Sequence, residues 1–251
     1  MKPFLTFVLL GISSLMAIAQ DTLALFEQGN QAYNEARYQE AITAYQAILE
    51  QEQHSSALYF NLANSYYKTN QVAESIYYYE KALLLDPEDQ EIRHNTIFAQ
   101  NMNLDTIEVL PQTDLARLKE ATIRQLGIDQ WAGLILVLVW LSVLFFAGYL
   151  WSNSPSVKRL LFIVSLFVFS LATASYLLTN NHLQLQNNTQ YGILFDEQIE
   201  IKAAPNDRAE IQFLLHEGTK VEVLDGLQDW QKIRIANGAE GWVKAANIRL
   251  L

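Results

Sequence analysis

The side chains with chemistry to offer are few and scattered. His54, His94, His182 and His216 stand in separate segments, and none has an acidic partner at metal-ligand spacing. HExxH, GxSxG, a glycine-rich phosphate loop and the EF-hand pattern are all missing, so the usual hydrolytic, phosphate and calcium sites lack their residues. Cysteine is absent, which removes thiol catalysis, zinc–cysteine sites, disulfide staples and a lipid-modified N-terminal cysteine. The densest acidic group, Asp86, Glu88, Asp89 and Glu91, surrounds Pro87, where carboxylates favour the start of a helix. No catalytic residue, metal site or cofactor is expected, and the chain reads as a non-enzyme. The chemistry left is recognition, carried by amides and rings such as Asn30 and Asn64, Tyr33 and Tyr67.

Those groups need a scaffold, and composition bounds it. Of 251 residues, 51% are apolar and 18% charged, too apolar for a disordered chain and enough for one or two ordinary domains. The net charge of −10 argues against a nucleic-acid partner, whose phosphates require basic patches. Residues 20–110 hold 14 acidic and 4 basic side chains and so carry all of that charge. An acidic block followed by a neutral, hydrophobic remainder marks a modular protein.

The acidic block repeats. Laying residues 22–55 over 56–89 gives a period of 34, with Gly29 on Ala63, Tyr33 on Tyr67, Ala41 on Ser75, Tyr45 on Tyr79 and Ile48 on Ala82. Each unit reads as two amphipathic helices parted near Ala36-Arg37 or Asn70-Gln71, and Asp86-Pro87 ends the second. Gln90 to Met102 reads as a cap helix on the exposed end. Through Leu62-Ala63, Tyr66, Tyr79, Ala82 and Pro87 the second unit resembles the tetratricopeptide repeat. The first is looser, with Ala32 and Gln53 at two signature positions. The resemblance implies a helical domain over 20–102 that binds peptides or proteins in the groove of its first helices. Carried over position by position, that groove comprises Phe26, Asn30, Tyr33, Phe60, Asn64, Tyr67, Lys68, His94 and Phe98. Each aromatic either meets ligand or packs between helices. Asn30 and Asn64 are poor helix formers whose amides suit a bound backbone. The mode that clamps a C-terminal carboxylate needs basic residues where Phe26, Glu91 and Asn95 stand, and is not expected.

Two apolar spans follow. Trp131–Trp151 is a 21-residue run without a charge and Leu160–Leu178 a second of 19, each long enough for the hydrocarbon core of a bilayer. Residues 152–159 join them as an antiparallel hairpin, and Lys158-Arg159 favours the cytoplasmic side for that loop. Neither span carries an ionisable residue, so the hairpin is an anchor rather than an ion path. Met1-Lys2, the run Phe4–Met16 and Ala17-Ile18-Ala19 form a secretory signal over 1–19, either cleaved or kept as an anchor. Both soluble parts are then extracytoplasmic, in a multi-pass protein of the bacterial inner membrane facing the periplasm. Residues 103–130, broken by Pro111, hold either a surface-lying helix with Leu115, Leu118, Thr122 and Leu126 on one face or a plain spacer.

After a polar linker over 179–190 the period shortens. Val221–Leu224, Trp230–Ile235 and Gly241–Val243 read as half-buried strands, and Asn237-Gly238 as a hairpin turn. Residues 191–251 resemble a bacterial SH3 domain through Ile199–Lys202 with Ala204-Pro205, His216–Val221, and Trp230 to Gly241-Trp242-Val243. Such domains bind wall peptides or proteins, so Trp230 and Trp242 are either ligand platforms or, the favoured reading in a 60-residue barrel, packing. The fold class is multidomain: an all-α tetratricopeptide array, a transmembrane α-hairpin and an all-β SH3-like barrel. In that order, with the export signal, the parts resemble the BatE family of the bacterial aerotolerance operon. That resemblance implies a non-enzymatic scaffold for von Willebrand factor A-type membrane proteins and a MoxR-type ATPase; a peptidoglycan-binding envelope sensor is the alternative.

Overall fold

The structure, a computed structural model, describes residues 21–107, 113, 117, 126 and 128–251. The expected signal peptide and most of the juxtamembrane segment lie outside the described residues. The chain divides into two compact units, one formed by 1–109 with 190–251 and the other by 110–189.

In the first unit, helices α1 (21–34), α2 (Tyr38–Glu50), α3 (Ser56–Lys68), α4 (Val72–Leu85) and α5 (Gln90–Gln100) follow one another. Small residues set the crossing of α1 and α2: a Cβ added at Gly29 would collide with the Tyr45 ring. Both repeats turn on the same device. Ala36 and Asn70, 34 positions apart, adopt φ of +60° and +58°. Each is followed by an N–H that reaches back five residues, Arg37 to the Ala32 carbonyl and Gln71 to the Tyr66 carbonyl, closing the helix with a left-handed cap. Ser55 caps α3 by accepting from the Leu58 N–H, and Asp89 caps α5 by accepting from those of Glu91 and Ile92. One apolar core gathers Ile42, Tyr45, Leu58 and Leu62. A second gathers Ala73, Ile76, Tyr79, Ile92 and Ala99, and it includes Ile193 from beyond the two long apolar helices.

That residue belongs to an antiparallel seven-stranded sheet: β1 (Gln190–Leu194), β2 (Ile199–Lys202), β3 (Ile211–Leu215), β4 (Lys220–Leu227), β5 (Trp230–Arg234), β6 (Glu240–Lys244) and β7 (Ile248–Leu250). The order across it is β3-β2-β6-β5-β4-β1-β7. Leu194, Ile201, Val221, Ile233, Val243 and Ile248 fill its interior, as the alternation of these strands requires. Gly238, at φ +86°, makes the turn between β5 and β6. The β domain packs on α4. Phe195 meets the Tyr77 ring edge-on at 5.9 Å, the Arg249 guanidinium lies 4.0 Å from the Phe195 ring, and Lys220 Nζ is 2.7 Å from Glu80 Oε2.

The second unit is a helical hairpin of α6 (Ile128–Trp151) and α7 (Pro155–Asn188). Both helices are long and apolar enough to cross a membrane. Small polar residues lie between them: Ser142 Oγ donates to the Ser165 carbonyl at 3.1 Å and Ser165 Oγ to that of Ser142 at 3.0 Å. Bulky side chains such as Leu144, Phe167 and Phe169 face outward, the pattern suited to lipid rather than water. Residues 179–188, expected as linker, continue α7 instead. The run is rich in Asn, a weak helix former, so its helix extends the apolar part of α7 without an apolar period of its own.

Candidate functional site

Three first helices, α1, α3 and α5, bring Tyr33, Asn64, Tyr67, Lys68 and Phe98 around one cavity of about 180 Å³. Tyr79 and Asn95 complete its lining. Four other residues assigned to the groove stand outside this cavity. Phe26 and Phe60 are half-buried, with rings 5.9 Å from Tyr45 and 6.0 Å from Tyr79, so they pack between helices. His94 is exposed and lies edge-on to Phe98 at 4.7 Å. Asn30 borders a separate shallow hollow on α1 with Glu27, Gln31 and Asn34.

The amides form a ladder with the period of the repeat. Asn30 Oδ1 accepts from the Tyr45 hydroxyl at 2.8 Å and from Asn61 Nδ2 at 3.0 Å. One repeat later Asn64 Oδ1 accepts from the Tyr79 hydroxyl and from Asn95 Nδ2. Both acceptors are therefore used inside the protein, and the orientation of each amide is fixed by two donors. The Asn64 Nδ2 donor is left to the cavity, where it suits a carbonyl or carboxylate oxygen. Burial pushes the Tyr33 and Tyr79 hydroxyls above the ordinary tyrosine value, Tyr33 aided by Tyr38 and Tyr79 by Tyr33, Tyr67 and Glu91. They remain neutral donors through the physiological range. Lys68 is the one cation among the lining residues. Tyr79 and Asn95 are lining residues that the sequence does not point to, because Tyr79 reads as packing and Asn95 as a position lacking the basic residue of a carboxylate clamp. The shared spacing of Asn30–Asn61 and Asn64–Asn95 was the signal that could have found them.

A second cavity, about 230 Å³, opens on the β domain between Glu200, Lys202, Asp207, Trp230, Lys244 and Asn247. Trp230 is 9% exposed, so most of its ring is packed inside the fold, and the residue also lines this cavity. Lys244 Nζ lies 5.6 Å over its ring and 2.7 Å from Asp207. Trp242 is half-buried and pairs across the sheet with Lys202 and Lys232.

One histidine gains a carboxylate partner through the fold rather than through local spacing. His216 does have an acidic partner: its N–H and its Nδ1 each lie 2.7 Å from the carboxylate of Asp105, which also accepts from Thr219 Oγ1 at 2.6 Å. The two residues are 111 positions apart, so local spacing could not reveal the pair. Burial pushes the Asp105 carboxyl up, but the bonds from His216 and Thr219 prevail and hold it below the ordinary aspartate range. Among the described residues no group of three His, Asp or Glu side chains could hold a metal ion.

Residues 56–89 match the tetratricopeptide repeat family, and residues 198–249 match the bacterial SH3 domain family. The helical array thus carries a tetratricopeptide repeat, and the β domain is SH3-like. No curated protein matches the chain. Among solved structures it is similar to the first tetratricopeptide domain of Spaghetti (RPAP3) bound to the HSP90 peptide SRMEEVD. The identity is 23%, over 33% of this chain and 66% of that one, with a TM-score of 0.32. It is also similar to the second such domain of human RPAP3 in complex with the HSP70 peptide SGPTIEEVD. There the identity is 16%, over 62% of this chain and 98% of that one, and the TM-score again 0.32. Tetratricopeptide and SH3 domains are interaction modules, typically without catalysis.

Proposed function

We propose that the chain is a non-enzymatic, membrane-anchored adaptor that takes an extended segment of a partner protein into the groove of Tyr33, Asn64, Tyr67, Lys68, Tyr79, Asn95 and Phe98. The observation that carries this reading is the locked Asn64 amide, which leaves a fixed donor in a cavity walled by aromatic rings. A peptide backbone offers carbonyl acceptors at regular intervals, and a preset donor binds one without losing rotamer freedom. Lys68 adds a preference for acidic or carboxylate groups near that end of the groove. The hairpin α6–α7 is the anchor, with both soluble parts on the periplasmic side of the inner membrane. The partners are the von Willebrand factor A-type Bat proteins and a MoxR-type ATPase assembly.

The test is capture of partners by the tagged full chain in mild detergent, with co-purifying proteins identified by mass spectrometry. Recovery of von Willebrand A-type membrane proteins, and its loss on replacing Tyr33, Asn64 and Tyr67 together with alanine, is the expected result. Equal recovery by the triple variant would remove the groove from the reading, and recovery of the chain alone would remove the scaffold. A second reading is supported by the cavity beside Trp230, where Lys202, Lys244, Glu200 and Asp207 offer both charges to a zwitterionic peptide stem. In that reading the full chain co-sediments with purified cell wall, and Lys202→Ala with Lys244→Ala abolishes it. Absence of co-sedimentation by the intact chain would rule it out.

A further inference from the structure

A tetratricopeptide unit is stable because the next helix pair covers it. Here α5 stands as the first helix of a third unit, while the described residues after it, 101–107, are not helical. The outer side of α4 is where the second helix of such a unit would pack. It is covered by the β domain: Ile76 is fully buried, and Val72, Tyr77 and Glu80 are each 8% exposed. The cover is close. Gly218, at φ +83°, brings the loop between β3 and β4 so near that an added Cβ would lie 2.9 Å from Ile76 Cδ1 and 3.2 Å from Val72 Cγ1.

The same loop holds the end of α5. Glu80 on α4 accepts from Gln100 of α5 at 3.3 Å through one oxygen and from Lys220 of β4 at 2.7 Å through the other. Beyond α5, Asn103 Nδ2 donates to Thr219 Oγ1 at 3.0 Å, Asp105 takes its three bonds from His216 and Thr219, and Ile107 packs against the sheet's core. A strap of five residues thus ties the C-terminal end of α5 to the SH3-like domain. Asn95 and Phe98, which form one wall of the groove, lie on α5 within two turns of that tie.

We propose that the SH3-like domain occupies the face of α4 on which the second helix of a third repeat would pack, and that Glu80, Asp105, Thr219 and Lys220 are positioning residues that set the groove wall carried by α5. The proposal places a functional role of the groove on the reading above, but the contact between the domain and α5 is independent of it. Undocking would free α5, loosening Asn95 from Asn64 and opening the cavity on that side. Occupancy of either module is then felt by the other through one rigid seam.

Amide hydrogen exchange on the full chain in detergent micelles tests this without any ligand, so its outcome is separable from that of partner capture. Lys220→Ala combined with Asp105→Asn should speed exchange over residues 90–100 by about tenfold, while α3 and β4–β6 keep their protection. Unchanged exchange over α5, with the 216–220 loop loosened, would overturn the proposal. Should that double variant lose protection everywhere, the charge exchange decides. Glu80→Lys and Lys220→Glu should each speed α5 exchange, and their combination should restore it. Failure of the combination to restore protection of α5 would equally overturn the proposal.

Discussion

At the scale of single residues, the seam between α4 and the SH3-like domain sets two carboxylates to opposite tasks. Asp105 is held below the ordinary aspartate value of 3.8 by its hydrogen bonds to His216 and Thr219, although burial opposes this. Glu217, in the same loop, is pushed above the ordinary glutamate value of 4.5, first by burial and then by Glu74 on α4 and by Glu197. A raised carboxyl value means that ionisation disfavours the folded state, so Glu217 costs stability at neutral pH and ceases to cost it once pH falls through its raised value. A depressed value means the reverse: Asp105 stabilises above 3.8 and loses that contribution only in stronger acid. Glu217→Gln should therefore raise stability at pH 7 by about 0.5 kcal/mol, and the gain should shrink to nothing in mild acid. Denaturant melts of both proteins across that range measure it, and a gain that grew as pH fell would contradict the assignment. Neither carboxylate announced itself in the sequence. Asn64 and Tyr67 could be placed because a repeat carries them at a fixed interval, whereas Asp105 meets His216 across a gap that includes two apolar spans.

At the scale of elements, local signals served well wherever a helix or strand carries its own period. The helix breaks at Ala36 and Asn70 were legible from the 34-residue superposition, and the turn at Asn237-Gly238 from residues that tolerate positive φ. The polar end of α7 was not legible, because Asn and Gln side chains give no hydrophobic period to count. Groove residues divided on similar lines. Phe26 and Phe60 sit at first-helix positions, and their half-buried rings meet Tyr45 and Tyr79 of the second helices. The repeat also shows where the array is strained. Asn70 occupies the left-handed cap at little cost, while Ala36 holds the same conformation with a Cβ that disfavours it. Ala36→Gly should stabilise the unit by about 0.5–1 kcal/mol, since the relief of strain outweighs the extra freedom of the unfolded chain. A thermal or denaturant midpoint that fell instead would mean the cap is not left-handed.

At the scale of the whole molecule, the main consequence lies in which parts fold together. Residues 21–107 and 190–251 belong to one compact unit, although the sequence between them contains both long apolar helices. Two segments of one folded body cannot lie on opposite faces of a bilayer, so any path that crosses the membrane between them must cross an even number of times. Two spans satisfy this, and one does not. The seam of Glu80 with Lys220 and Asp105 with His216 imposes this whatever the N-terminal segment does. It also makes Lys158 and Arg159, at the start of α7 just after the turn of the hairpin, the natural marker of the opposite face. Because the chain has no cysteine, single thiols at exposed Gln53 and Asp225 report on each half without background. Gln53→Cys and Asp225→Cys should react alike with a membrane-impermeant maleimide, both in intact spheroplasts if the soluble unit faces the periplasm. Protection of both until lysis would place the unit in the cytoplasm and discard the export signal while keeping the seam. Labelling of one and protection of the other would separate the two halves across the bilayer, and no single unit could then contain them.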